Sequence, residues 1–114
     1  MSYDLEDRTE RFAINCRIFT KKLPRTLENQ EDIRQLVRSS GSQASNYIEA
    51  NESLSKKDFI HRMRICRKEA KESRLWLRLV DTKNDQSLEK ERQGLLMEVN
   101  ELLKIFGSII SKSE

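Results

Sequence analysis

The sequence predicts an all-α fold, an antiparallel up-down-up-down four-helix bundle, and three features carry that prediction. The 114 residues include one proline and three glycines, so the chain has little punctuation and favours long elements. Four segments place apolar residues at alternating spacings of three and four, the period of one helix face. The links between them are only about three to five residues long, which favours antiparallel neighbours.

The first helix is expected over about 4–22. Leu5, Thr9, Phe12, Cys16, Phe19 and Leu23 share its inner face, and Pro24 stops it by removing a backbone donor and restricting Leu23. The second is expected over about 27–50, with Ile33, Val37, Ser40, Ala44, Tyr47 and Ile48 as its seam. Its middle is Ser39, Ser40, Gly41, Ser42, Gln43, Ala44 and Ser45, a composition that also suits a linker. It reads as helix because the apolar register continues on either side. Small side chains there let a neighbouring backbone come close, at a propensity cost of up to about 1 kcal/mol for Gly41 relative to alanine. The third helix is expected over about 56–80, opened by the capping pair Ser55 and Asp58. Phe59, Met63, Cys66, Ala70, Ser73 and Leu77 form its seam. The fourth is expected over about 84–111, with Leu88, Leu95, Val99, Leu102, Phe106 and Ile109 inward and Arg92 interrupting them. These near-heptad seams suit shallow crossing angles.

One domain spanning 1–114 accommodates this length. Charged residues make up 36% of the chain at a net charge of +3, which fits helices with one buried stripe and broad solvated faces. The polar start Met1, Ser2, Tyr3, Asp4 predicts no secretory signal, and no apolar run is long enough to span a membrane. Cys16 and Cys66 read as reduced core thiols of a cytoplasmic protein, small hydrophobes without a catalytic partner. His61 is the only histidine and is expected at the surface, so the Glu-x-x-His pairs of a di-metal bundle are absent. Glycine-rich phosphate loops are also missing. Glu49, Asn46 and Asn51 gather at the end of the second helix, where capping the next turn is their expected role. The expectation is therefore no enzyme, no catalytic residue, no metal and no cofactor.

Two features exceed what a bundle needs. The first is apolar surface. On the fourth helix Leu96, Leu103 and Ile110 recur every seven residues beside the seam, and Ile105 extends its other edge. Ile14 and Ile18 lie opposite the seam of the first helix, and Ile65, Trp76 and Leu79 lie off that of the third. Such patches mark contact surfaces, so these eight residues, Ile105 aside, are the expected interface of a homo-oligomer. The second is charge. Between Ser55 and Val80 nine lysines and arginines face three acids, a local +6, while the remainder carries thirteen against sixteen, or −3. Arg64, Arg67, Lys68, Lys71, Arg74 and Arg78 share one flank, a stripe that attracts polyanions by displacing their counterions. A solvated face whose cations pair with Glu6, Asp7 and Glu10 of the first helix, or with acids of a neighbour, is the competing expectation. No groove-reading motif accompanies the stripe, so binding is expected to be weakly sequence-specific.

Residues 39–51, followed by Ser55, Lys56, Lys57, Asp58 and Phe59, resemble the "four helix bundle protein" family, which includes proteins encoded in intervening sequences of bacterial large-subunit rRNA genes. The run from Arg67 to Leu77 is similar to the third helix of that family. Many members read Asn-Ile-Ala-Glu-Gly where this chain has Asn46, Tyr47, Ile48, Glu49 and Ala50. The resemblance implies a four-helix protomer that closes into a pentameric barrel. It also implies kinship with accessory proteins of diversity-generating retroelements, which bind nucleic acid and a reverse transcriptase through basic surfaces. RNA or DNA, and a reverse transcriptase or RNA-processing enzyme, are thus the implied partners. A purely structural or protein-binding scaffold is the alternative.

Overall fold

A computed structural model describes residues 4–114; the Met1, Ser2, Tyr3 start lies outside the described residues. Four helices follow one another: α1 Leu5–Thr20, α2 Leu27–Asn51, α3 Lys56–Leu79 and α4 Gln86–Ser113. Each begins at an oxygen-bearing cap that satisfies a backbone N–H left free in the first turn. Asp4 accepts from Glu6 N at 3.0 Å, Thr26 from Asn29 N at 3.1 Å, Ser55 from Asp58 N at 3.0 Å and Asp85 from Leu88 N at 3.1 Å. The α3–α4 link turns through Lys83 and Asn84, both at positive φ.

α1 packs on α2 and α4, and α3 packs on the same two helices, so α1 and α3 stand at diagonal corners. The α2–α3 packing is the most extensive and α1–α4 the least. Small residues explain the first: Ser39 and Ser73 meet hydroxyl to hydroxyl at 2.8 Å in a buried position. The serine-rich middle of α2 is helical throughout. At Gly41, however, an added Cβ would lie 3.4 Å from Arg17 Nη2. A guanidinium tip fills that space, where the sequence suggested a neighbouring backbone.

Phe12, Phe19, Leu36, Met63, Leu77, Leu102 and Phe106 form the centre of the core. α2 corrects the sequence reading. Its inward positions are Asn29, Ile33, Leu36, Ser40, Gln43, Tyr47 and Ala50, whereas Val37 and Ala44 are half-buried on the flank and Ile48 is exposed. Half of the true seam is polar, which is why an apolar search slides off it. The carboxamide of Gln43 is fully buried with neither end partnered among the described residues.

The two thiols sit in this core, fully buried. Burial pushes both up to about 12, against the opposing pull of the Ser40 hydrogen bond at Cys16. A thiolate, the reactive form, is therefore scarce at neutral pH. A thiol dye at about pH 8 is expected to label neither cysteine in the native protein and both after unfolding; labelling of native protein at the rate of free cysteine would contradict the packing.

Candidate nucleic-acid interface

α3 positions the cations. Its buried stripe of Met63, Cys66, Ala70, Ser73 and Leu77 fixes the rotation of the helix. That rotation sends Lys68 and Lys71 into solvent and leaves Arg67 and Arg74 half-buried on the α4 side. Arg74 Nη1 donates to Asn100 Oδ1 at 2.9 Å, and Arg64 Nη2 meets Glu114 Oε2 at 2.5 Å. Arg78 is exposed in the last turn, where a cation suits the helix dipole. On α4, Met97 and Lys104 lie on the same side as Asn100, extending the surface.

Two of the three acids of α3, Glu69 and Glu72, are held on the opposite side. Glu69 is buried on the α2 side, accepting from Arg38 Nη2 at 3.2 Å and from Ser42 Oγ at 3.1 Å. Glu72 takes the same guanidinium at 2.8 Å. The Glu69 hydrogen bond, with both carboxylates near, holds the Arg38 guanidinium charge more firmly than in water. Arg38 therefore offsets part of the negative edge of α3, one guanidinium against two carboxylates, while the opposite edge stays rich in cations. The expected pairing with α1 is overturned by topology, because α1 is diagonal to α3. Glu6 accepts from Asn51 Nδ2 of α2 instead, at 2.7 Å. Among the described residues, Arg67, Lys68, Lys71 and Arg78 make no ion pair.

Of the expected interface residues, Ile110 is only 3% exposed and belongs to the core, a correction. Along a straight α4 the face drifts by about 20° per heptad, so late in the helix the i+4 residue after Phe106 turns inward. Leu96, Leu103 and Trp76 are half-buried against the core, and Ile65 is half-buried. Ile14, Ile18 and Leu79 are exposed at 47%, 46% and 53%. The sequence reading missed Leu75 and Met97, also exposed.

His61 is exposed, in a small cleft with Glu49, Glu52 and Asp58. Asn46 does not cap the turn; it ties α2 to α3 by accepting from Arg62 Nη1 at 3.0 Å, and Asn51 ties α2 to α1. Among the described residues no cluster of His, Cys, Asp or Glu is arranged to hold a metal, and no helix is long and apolar enough to cross a membrane.

Fold and surface together define a small helical bundle with one face rich in cations, of which Arg64 is paired with Glu114. Residues 2–108 match the 23S rRNA-intervening sequence protein family, and the chain belongs to it. It is similar to a protein of unknown function from the S23 ribosomal protein family of Bacteroides thetaiotaomicron, solved by crystallography. The TM-score is 0.78 at 27% identity, over 94% of this chain and 98% of that one. No curated protein matches the chain.

Proposed function

We propose that this protein is a non-enzymatic, cytoplasmic, homo-oligomeric adaptor, a ring of bundles that holds nucleic acid or a nucleoprotein against the cationic face of α3. One observation carries the reading: Glu69 and Glu72 of α3 are engaged by Arg38, while among the described residues Arg67, Lys68, Lys71 and Arg78 keep no carboxylate of their own. Exposed cations of this kind gain little from water but release counterions when they meet phosphates. The Arg64–Glu114 pair is about half exposed and weak, so a phosphate can replace the carboxylate. A reverse-transcribing or RNA-processing enzyme is the partner class that such an adaptor serves.

The test replaces Arg67, Lys71, Arg74 and Arg78 with glutamate. Retention on heparin and RNA is expected to vanish, and the slope of log affinity on log salt to fall by roughly 3 to 4, with helicity and oligomer size unchanged. Unchanged retention overturns the reading. Dissociation of the oligomer by the same substitutions favours the scaffold alternative.

A further inference from the structure

We infer that the cationic flank of α3 selects double-stranded over single-stranded nucleic acid, gripping the duplex by its phosphates alone. This rests on the nucleic-acid reading above and adds the form of the ligand. Arg67, Lys71, Arg74 and Arg78 follow one another at steps of four, three and four residues, so they form one row about 16 Å long on a straight helix. Lys71 and Arg78 are exposed, and Arg67 and Arg74 are half-buried. Among the described residues none of the four makes an ion pair. Arg74 is steadied by Asn100 rather than cancelled, because a carboxamide carries no charge. Along about 16 Å of its axis a duplex carries roughly ten phosphates, and each strand only half as many. The row therefore meets a denser negative field on a duplex.

Single strands make up such a deficit by stacking their bases on aromatic rings. Here the rings are committed elsewhere. Phe12, Phe19 and Phe106 are fully buried, and Tyr47, Phe59 and Trp76 pack against the core. Trp76 lies one turn beyond Glu72, on the flank of α3 away from the row, and its indole Nε1 is buried. The exposed apolar neighbours of the row, Leu75 and Leu79, are aliphatic and offer no flat face to a base. What remains is counterion release, about 0.9 per phosphate on a B-form duplex and about 0.7 on a single strand. The four cations of the row then give slopes of log affinity on log salt of about −3.6 and −2.8 for each protomer engaged. With 1 M salt as the point where release contributes nothing, the difference of about 0.8 amounts to roughly sixfold tighter binding of the duplex at about 0.1 M.

Fluorescence anisotropy of the full chain with labelled oligonucleotides tests this. The ligands are an RNA duplex, a DNA duplex and the separate strands of each, all of one length, over about 0.1 to 0.3 M salt. A duplex is expected to bind about sixfold tighter than its own strands at the lowest salt, with the steeper salt slope. Whichever duplex binds tighter identifies the source of the phosphates. The emission of Trp76, the only tryptophan, is expected to stay unquenched when unlabelled single strands are added. Separate strands bound within about twofold of the duplex or tighter, or quenching of Trp76 by them, overturns duplex selection. If glutamate at Arg67, Lys71, Arg74 and Arg78 still abolishes that binding, the adaptor reading stands without it. Failure of the wild type to bind any strand or duplex overturns the adaptor reading itself.

Discussion

Replacing Asn29 with alanine is expected to lower stability by about 3 kcal/mol, a large share of the roughly 5–15 kcal/mol that holds a domain together. The side chain is fully buried at the first turn of α2 and uses every hydrogen-bonding group it has. Nδ2 donates to Pro24 O at 2.9 Å and to Asp81 O at 2.8 Å, and Oδ1 accepts from Asp81 N at 2.8 Å. One residue thus clamps the α1–α2 link to the α3–α4 link at the same end of the bundle. Alanine leaves three backbone groups short of a partner and removes packed atoms besides. Asn29→Asp sharpens the test. It keeps the shape, but a carboxylate only accepts, so two carbonyls would face a negative oxygen. Its loss at neutral pH should equal or exceed that of alanine, and part should return in acid as the carboxyl gains a proton. Urea unfolding followed by circular dichroism reads both; a wild-type midpoint for Asn29→Asp would refute the clamp.

That clamp also shows where sequence reading stops. The four helices were legible because the caps Ser55 and Pro24, and the three-four spacing, are local signals. The ends fell within two residues, α1 closing at Thr20 and α4 running on to Ser113. The seam of α2 was legible only in part: Ile33, Ser40 and Tyr47 were placed inward, but Asn29 and Gln43 occupy inward positions that an apolar pattern assigns to solvent. The burial of Asn29 depends on partners in the two links that it joins. The cationic flank of α3 could be placed from spacing alone. Whether its charge survives folding could not, because the answer lies with Arg38 on α2 and with the diagonal position of α1. The groove between α1 and α4 is wholly tertiary: it exists because the first and last helices pack less extensively than any other neighbouring pair.

Arg92 is the second position where a large effect is expected, and it explains its own intrusion into the α4 seam. It stands between Leu88 and Leu95, where an apolar residue would continue the stripe, yet its side chain is only 14% exposed. Nη1 donates to Leu77 O at 3.2 Å, Arg78 O at 3.4 Å and Val80 O at 2.5 Å, the carbonyls that end α3. Nη2 pairs with Glu89. A cation is thus set at the negative end of a neighbouring helix, capping acceptors that have no intrahelical donor. Arg92→Met keeps the length and improves the apolar stripe, but is expected to cost about 2–4 kcal/mol by uncapping those carbonyls. That corresponds to a fall of roughly 10 °C or more in Tm. The loss should depend on pH. The Thr82 hydroxyl first, and Arg92 next, hold the Glu89 carboxyl below the ordinary glutamate range. A carboxyl lowered on folding stabilises at pH above its unfolded value, about 4.3, and that share fades as pH falls through the folded value. Removing Arg92 removes part of that share in advance. The gap between wild type and Arg92→Met should therefore be widest near pH 7 and narrow toward pH 3, by chemical denaturation at each pH. A gap of constant size would mean that Arg92 acts on the carbonyls of α3 alone, without Glu89.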